Sequence, residues 1–382
     1  MKIVIAIDSF KGSMSSMEAG LAARDGILKA IPAAKVVVKP LADGGEGTTD
    51  ALIEGLSGEG IKISVKGPYG ECVNAHYGLI RETGTAVMEM AEASGITLSD
   101  RRDPMAATTY GVGEMIKDAL DRGCRDFIIG IGGSATNDGG IGMLRALGAR
   151  FMDADGNDCG EGGAALYRIS DIDLSGMDHR LRDCRIRVAC DVDNPLCGEN
   201  GATYIYGPQK GVTDDIKQEL DEAMAHFADV SAEKLGKDLR DRSGAGAAGG
   251  LGYALLMYLD AELIPGIELI MEAVGLEKEF MDADIAVTGE GRLDYQTAMG
   301  KAPVGVAKLA KKHGLITLAF AGSVTHEAGK CNEEGIDAFF PIVRGVSTLQ
   351  EAMDNKTAKA NMTAAAEQAF RLIRAVKPEQ GI

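Results

Sequence analysis

The chain has 382 residues, of which 45% are hydrophobic and 25% are charged. This is the composition of a folded protein of two or three domains, and it excludes a disordered chain. Lys and Arg total 40 against 57 Asp and Glu, a net charge of -17 that disfavours phosphate backbones and anionic lipid as partners. We therefore expect no nucleic-acid partner and no membrane partner.

The seven cysteines are odd in number and form no C-x-x-C motif, so neither a disulfide framework nor a zinc ribbon is indicated. The N-terminal residues MKIVIAIDSF start directly on a short apolar strand and lack the features of a signal peptide. No apolar run approaches the length of a membrane span. The expected location is cytoplasmic.

The N-terminal 60 residues read as alternating strands and helices. A continuous apolar run at 3–7 predicts a strand that is buried on both faces. Ser15 and Glu18 form a capping box that opens a helix. A second strand follows at 36–41, and a second helix begins at about Thr48. This order is typical of a parallel α/β sheet.

The C-terminal part repeats the same order. Pro303 lies at the start of a predicted helix that ends at Gly314, the usual asymmetry of proline and glycine at helix ends. The remaining predicted elements are strands at 284–288, 315–320 and 337–342 and an alanine-rich helix at about 348–375.

The middle of the chain differs from both ends. It contains short strands with turn residues and one strong strand-loop-helix unit at 126–148. It also contains a run GAGAAGG at 244–250, which suggests a flexible hinge, close helix packing or backbone amides that approach a ligand. We therefore predict an α/β fold of two domains. The segments 1–66 and 281–382 form a discontinuous flavodoxin- or Rossmann-like parallel-sheet domain, and 67–280 form an inserted second α/β domain.

The strand-loop-helix unit resembles a dinucleotide fingerprint. Gly130, Gly132 and Ala135 follow an apolar strand, and Asp153 comes 18 residues after Ala135. However, residues 134–140 favour turns and caps rather than the helix that the fingerprint requires. A nicotinamide-dependent hydroxy-acid dehydrogenase remains an alternative function on this pattern.

One loop chemistry recurs directly after apolar strands. Acids, small hydroxyls and glycines follow the strands at 8–12, 43–48, 132–140, 191–195 and 289–294. Ligands of open α/β sheets bind at the carboxyl ends of the strands. Glycines let backbone amides approach phosphate oxygens, and acids hold Mg²⁺ or accept a hydroxyl proton, so the pattern suits phosphoryl transfer. The loop cations are Lys11, Arg292 and Lys301, and the loop aspartates include Asp43, Asp138, Asp191 and Asp294.

A non-catalytic protein that binds a small anion is a further alternative. It has no need for so many carboxylates beside glycines, since these charges repel an anion unless a metal intervenes.

Several blocks resemble the type I glycerate kinases, also called glycerate 2-kinases, from end to end. They are IVIA with Asp8, Ser9 and Lys11, ADGGEGT at 42–48, IGIGGSATNDGG at 129–140, ACDV at 189–192 with Asn194 and Pro195, GPQKG at 207–211, GAGAAGG at 244–250, TGEGR at 288–292 and Gly300 with Lys301. The resemblance implies ATP- and Mg²⁺-dependent phosphorylation of D-glycerate, at the 2-hydroxyl by the family name, in glyoxylate, glycolate or aldarate catabolism. It also implies two domains with the active site in the cleft. The oligomeric state is left open, a homodimer included.

We assign roles within this resemblance as hypotheses. Asp191 is the catalytic carboxylate that orients the glycerate hydroxyl, because it follows the buried strand IRVAC. Lys11 is the second catalytic residue, and together with Arg292 it pairs with the substrate carboxylate or the transferred phosphoryl group. The predicted substrate-binding residues are Asp8, Ser9, Ser134, Asn137, Asp138, Asn194 and Arg292. The predicted nucleotide- and phosphate-binding residues are Gly44, Gly45, Gly132, Gly133, Gly289, Gly291 and Lys301. The predicted magnesium ligands are Asp43, Glu46 and Glu290, in no order of preference.

Overall fold

The computed structural model describes residues 1–42, 44–45 and 47–376. The chain divides into two compact units. The first unit consists of Met1–Asp43, Asp50–Ser57 and Ile267–Ile382, and the second consists of Gly44–Thr49 and Gly58–Gly266. The domain boundaries proposed from the sequence, after residues 66 and 280, stay a prediction.

The first unit is built on a parallel sheet in the order β13-β12-β11-β1-β2. β1 is almost entirely apolar and is buried along its whole length, because it lies inside the sheet between β11 and β2. The chain adds β2 on one side of β1 and the later strands on the other, so the strand order reverses between β1 and β11. The strands are β1 (Lys2–Ile7), β2 (Lys35–Pro40), β11 (Ile285–Leu293), β12 (Ile316–Val324) and β13 (Ala338–Pro341).

Helices cover both faces of this sheet. On one face Ile5 packs with Ile27 and Phe370, and on the other Ala319 packs with Val304. A β-carbon on Gly26 would overlap the backbone of Thr363, so glycine permits the close approach of the first and last helices. The helices of this unit are α1 (Ser16–Ala30), α2 (Thr48–Gly55), α10 (Gly266–Ala273), α11 (Leu276–Phe280), α12 (Tyr295–Ala298), α13 (Ala302–Lys312), α14 (Lys330–Glu333), α15 (Leu349–Met353) and α16 (Asn355–Val376).

The second unit has a mixed sheet in the order β10-β9-β6-β5-β4-β3. The strands from β10 to β5 run parallel, and β4 and β3 continue antiparallel. A separate antiparallel pair, β7 and β8, lies outside this sheet. The strands are β3 (Glu59–Lys66), β4 (Cys72–Ile80), β5 (Thr85–Glu89), β6 (Asp126–Gly130), β7 (Arg150–Met152), β8 (Asp171–Asp173), β9 (Arg185–Ala189) and β10 (Glu262–Ile264).

The helices of the second unit pack around one extended core. Phe127 of β6, Phe227 of the longest helix and Tyr253 are buried together there, and the rings of Phe227 and Tyr253 meet edge to face at 5.8 Å. The helices are α3 (Ala91–Ser94), α4 (Tyr110–Asp121), α5 (Ile141–Ala146), α6 (Gly163–Leu166), α7 (Ala202–Tyr206), α8 (Asp214–Leu235) and α9 (Ala247–Leu259).

The α/β fold with parallel sheets is confirmed, and the capping box of Ser15 and Glu18 is present at the start of α1. Two element predictions are wrong. The strand expected at 284–288 continues to Leu293, because the extended β12 pairs with it as far as Val324. The single helix expected at 348–375 is interrupted at Asp354, whose extended backbone separates α15 from α16 and whose carboxylate caps Thr357.

The seven cysteines are free thiols, and Cys124, Cys159 and Cys331 are buried. Within residues 1–376, apart from 43 and 46, no helix has the length and apolar character needed to cross a bilayer.

Candidate active site

The parallel strands of the second unit end along one edge of its sheet. The amide of Met90, after β5, donates to the carbonyl of Gly130 at 2.8 Å. The amide of Cys190, after β9, donates to the carbonyl of Ile264 at 2.9 Å. The polar loops that follow β6 and β9 therefore leave the sheet at the same edge, as expected for parallel strands.

Gly44 and Gly45 lie along this edge, and the described residues 47–49 follow them. A β-carbon on Gly44 would come within 2.8 Å of the β-carbon of Ala189, and one on Gly132 would lie 4.0 Å from the α-carbon of Gly45. Glu89, at the end of β5, holds the loop by accepting from the amide of Thr49 at 2.9 Å. Burial raises the pKa of Glu89 above its ordinary value. The structure therefore brings Gly44, Gly45 and the loop after β6 together.

The loop after β6 is held in place by hydrogen bonds to the buried carboxylate of Asp138. This carboxylate is fully buried and accepts hydrogen bonds from the amide and hydroxyl of Thr109 at 2.8 and 2.9 Å and from the amides of Gly140 and Gly142. Burial raises the pKa of Asp138, while these four donors oppose the rise. Its oxygens are used within the protein, so its contacts favour a positioning role over direct contact with substrate.

A buried lysine supports the same loop. The Lys210 ammonium donates to the carbonyl of Thr136 at 2.7 Å, and burial lowers the pKa of Lys210 to about 7 while the charge of Asp138 opposes the decrease. Gly249 has a φ of +69°, and its carbonyl accepts from the amide of Gly139 at 3.0 Å. The run at 244–250 is therefore largely buried and packed against the loop.

The polar side chains of this edge differ in exposure. Gly132 and Gly133 are exposed, while Ser134 and Asn137 behind them are buried. The Asn137 amide donates to the Thr203 hydroxyl at 3.0 Å, and its carbonyl oxygen has no hydrogen-bond partner among the described residues. The loop thus presents a backbone of glycines with polar groups directly beneath.

Asp191 lies on the exposed part of this edge. Its Oδ1 accepts from the amide of Gly266 at 2.8 Å, which fixes the carboxylate at the end of β9. Asn194, three residues later, donates to the carbonyl of Asn200 and accepts from the Tyr206 hydroxyl at 2.6 Å. Asp191 is therefore an oriented, solvent-accessible carboxylate, whereas Asn194 stabilises its own loop.

In the first unit, six of the predicted residues line a cavity of about 610 Å³ at the reversal of strand order, namely Asp8, Ser9, Lys11, Glu290, Gly291 and Arg292. Asp8 and Ser9 follow β1, and the Asp8 carboxylate accepts from the amide of Ser9 at 2.6 Å. Lys11 and Arg292 also line the cavity and are exposed, and Arg292 lies 3.7 Å from the Asp294 carboxylate. Two cations and one anchored carboxylate thus converge on one cavity.

Two glycines and a lysine were predicted to bind phosphate near this cavity. Gly291 lines the cavity beside Lys11, but Gly289 is buried within β11, against the backbone of Phe320. Lys301 precedes α13 and donates to the Gln296 side chain at 3.1 Å, and it does not line the cavity. Gly289 and Gly291 were expected in a loop at 289–294, and the structure places both within β11.

The predicted magnesium ligands are only partly described. Asp43 and Glu46 lie outside the described residues. Glu290 lines the cavity with Asp8 and accepts from the Thr297 hydroxyl at 2.6 Å. Hard carboxylate oxygens suit Mg²⁺, which commonly takes one or two protein carboxylates together with phosphate and water. The donor set of this cavity therefore fits magnesium bound with a nucleotide. Among the described residues, no group of three or more His, Cys, Asp or Glu side chains is placed to hold a metal.

The dinucleotide fingerprint does not have the required context. In a Rossmann unit the strand that carries the ribose-binding acid lies parallel and adjacent in the same sheet. Here β7, which precedes Asp153, pairs antiparallel with β8 in a separate sheet. The Asp153 carboxylate binds Arg168 and a local turn. This geometry disfavours the dehydrogenase alternative.

Comparisons with known proteins agree with one another. The sequence model of the glycerate kinase family matches residues 3–374 of this chain. The chain belongs to the glycerate kinase family. It is 49% identical to a glycerate kinase of Bacillus subtilis (strain 168) over 366 residues, which are 95% of this chain and 96% of that protein. It is also 49% identical to a glycerate 2-kinase of Escherichia coli (strain K12), over 92% of this chain and 93% of that one.

A solved structure shares the fold. The crystal structure of a candidate glycerate kinase 2 from Salmonella typhimurium LT2 matches with a TM-score of 0.92 and 45% identity, covering 99% of each chain. The prediction of a kinase is confirmed by family membership, and the dehydrogenase and anion-binding alternatives are not favoured.

Two residues of this family member were missed as functional from the sequence. Lys210 lies within GPQKG, a block that supported the resemblance without a role of its own, and Glu89 is the acid within the apolar strand TAVMEM. A charge inside an otherwise apolar buried strand requires a partner, and this was the available signal for Glu89. GPQKG is not apolar, so it carried no such signal for Lys210.

Proposed function

We propose that the protein transfers the γ-phosphoryl group of ATP to the 2-hydroxyl of D-glycerate and releases ADP and 2-phosphoglycerate. The single observation that carries this proposal is the placement of an oriented, exposed carboxylate, Asp191, at a strand-end edge lined with exposed glycines, in a chain of the glycerate kinase family. The choice of D-glycerate as the substrate is supported by the names of the relatives, glycerate kinase and glycerate 2-kinase.

Asp191 is the proposed acceptor of the hydroxyl proton. As the hydroxyl oxygen of glycerate forms its bond to the γ-phosphorus, the bond from that phosphorus to the bridging oxygen of ADP breaks, and the hydroxyl proton passes to the Asp191 carboxylate. The hydrogen bond from Gly266 keeps this carboxylate in one orientation, so its alignment does not have to be reached during the reaction.

The glycine loop after β6 is the proposed cradle for charged oxygens of the substrates. Gly132 and Gly133 are exposed and carry no side chains that would keep an oxyanion away from their amides. Ser134 and Asn137 are the proposed hydrogen-bonding groups for glycerate. Asn137 is buried, but its side-chain oxygen has no hydrogen-bond partner among the described residues and so differs from Asp138 and Lys210, which hold the loop in place. Asn194 is likewise proposed to stabilise the loop that follows β9, through its hydrogen bonds to Asn200 and Tyr206.

The cations of the first unit are proposed to neutralise phosphate. Lys11 and Arg292 line the cavity wall, where these basic side chains can pair with phosphate oxygens as negative charge moves to the leaving group. When bound, magnesium would add charge neutralisation on the same oxygens, with Glu290 and Asp8 as the described groups able to hold it. The proposed physiological setting is the catabolism of organic acids such as glyoxylate, glycolate or aldarates.

An assay of ADP release across a panel of hydroxy acids tests the proposal. The purified full chain is incubated with ATP, Mg²⁺ and one of D-glycerate, L-glycerate, glycolate or D-lactate. We expect D-glycerate to give the highest kcat/KM of the four. ADP formation that is no faster with any acid than with ATP alone would contradict the proposal, and reduction of NAD⁺ by the same protein with D-glycerate would support the dehydrogenase instead.

A further inference from the structure

The cavity of the first unit is larger and more apolar than a binding site for three-carbon acids needs to be. Its volume is about 610 Å³, within the range of about 300–1,000 Å³ that holds drug-sized ligands. D-Glycerate is small and bears polar groups on every carbon, so it would leave most of such a space unfilled. The cavity therefore fits a larger ligand with an apolar portion.

The walls of the cavity have two different characters. The wall at the ends of β1 and β11 carries Lys11 and Arg292, which suit phosphate oxygens. The wall formed by the segment after β13 and by α15 carries Ile342, Leu349 and Met353. A ligand that interacts with both walls must contain an anionic group for the cations and a flat or apolar group for the apolar side chains. Adenosine triphosphate has this construction.

The apolar wall is also exposed. Leu349 is 76% exposed and Met353 is 36% exposed, although both side chains line the cavity. A flexible methionine and a leucine beside Phe10 form a surface that accepts an aromatic ring with little rearrangement. Burial of these side chains against a base would remove apolar surface from water.

We propose that this cavity binds the adenosine portion of ATP, with the base between α15 and Phe10 and the phosphates toward Lys11 and Arg292. The proposal rests on the function given above, since it names the place of the nucleotide in that reaction. The position also agrees with the general rule that open α/β sheets bind ligands where the strand order reverses, here between β1 and β11.

The absence of tryptophan from the chain provides a direct test. The Leu349→Trp variant carries one fluorophore on the apolar wall, and Leu372→Trp carries it on an exposed leucine of α16 that does not line the cavity. We expect ADP to change the fluorescence of Leu349→Trp saturably and to leave Leu372→Trp unchanged. D-Glycerate alone should change neither. An unchanged Leu349→Trp signal with ADP, or a saturable change with D-glycerate, would overturn the proposal.

A steric variant separates this proposal from the proposed function. Ala352 lines the cavity on α15, and Ala360 is an exposed alanine of α16 outside it. We expect Ala352→Trp to raise the KM for ATP about tenfold or more, with the KM for D-glycerate little changed, and Ala360→Trp to match the unaltered protein. A normal KM for ATP in an active Ala352→Trp protein overturns the adenosine site while the kinase proposal stands. Failure of the unaltered protein to transfer phosphate overturns the kinase proposal, and the ADP titration still decides whether a nucleotide binds.

Discussion

The buried ammonium of Lys210 lies 2.7 Å from the carbonyl oxygen of Thr136 and so ties the GPQKG turn to the loop that follows β6. Its relative exposure is 1%, and the buried Asp138 lies near enough for its charge to act on the lysine. A cation in this place serves the geometry of the loop, because it cannot reach a ligand in solvent. The interaction links residues 74 positions apart in sequence.

The stability of the protein should rise with pH because of Lys210. Burial lowers its pKa from 10.5 to about 7, so between these values the unfolded chain binds more protons than the folded one. The free energy of unfolding should then increase from about pH 7 to about pH 10, by at most about 1.4 kcal/mol per pH unit from this residue. Denaturant unfolding at several pH values measures the slope.

The Lys210→Met variant should lose this part of the slope. Lys356→Met, at an exposed lysine of α16, is the matched control and should keep it. Equal slopes in the unaltered protein and Lys210→Met would show that the lysine stays protonated in the folded state, contrary to the burial argument.

Asp191→Asn should lower kcat by roughly 10²–10⁴-fold, because the amide cannot accept the proton of the reacting hydroxyl. The KM for D-glycerate should change less than about threefold, the pattern of a group that acts mainly in the transition state. Asp183→Asn is the control, since Asp183 is exposed at the opposite end of β9. Steady-state kinetics of both variants give the comparison, and a kcat near normal in Asp191→Asn would remove this residue from the role.

Asp138→Asn should destabilise the protein by about 2–3 kcal/mol. The new amide group would face at least one of the four N–H and O–H donors that now point at the carboxylate, leaving buried donors without acceptors. Asp155→Asn, at an exposed aspartate, is the matched control, and it should change the free energy of unfolding by less than about 0.5 kcal/mol. Similar unfolding free energies for the two variants would argue against the anchoring role of Asp138.

Gly249→Ala should destabilise the protein more than Gly275→Ala, although both glycines have a left-handed backbone conformation. Gly249 and Gly275 have φ values of +69° and +65°, so alanine is strained by about 1–2 kcal/mol at both. A β-carbon at Gly275 meets open space, whereas one at Gly249 would overlap the carbonyl of Thr136. We expect Gly249→Ala to cost a further 1–3 kcal/mol or so and to reduce kcat. Equal losses of stability in both variants would contradict the packing argument.

The order of strands and helices could be predicted from the sequence because the buried strands are continuous apolar runs with clear caps between them. The run 3–7 and the capping box at Ser15 are examples, and both are present in the structure. The extension of β11 beyond Thr288 could not be predicted, since GEGRL has no apolar pattern and is ordered by pairing with β12. Local composition does not record such a tertiary partner.

The site was predictable as a set of loops but not as a set of contacts. Asp138 and Asp191 both belong to acid-rich loops after strands, yet one is fully buried under four donors and the other is exposed and oriented by Gly266. Their difference comes from Thr109 and Gly266, which are distant in sequence. The cavity beside Lys11 was also beyond prediction, because α15 closes one wall only after the expected long helix breaks at Asp354.

Phosphorus NMR shows directly whether the protein transfers the γ-phosphoryl group of ATP to the 2-hydroxyl of D-glycerate. The full chain is incubated with ATP, Mg²⁺ and D-glycerate, and the new phosphomonoester is identified by its chemical shift and its coupling to carbon-bound protons. Phosphorus on the 2-position couples to the single proton of C2, and we predict that signal together with ADP. A 3-phosphate, which couples to two protons, would contradict the proposed hydroxyl, and the absence of any new monoester from the folded protein would contradict the account as a whole.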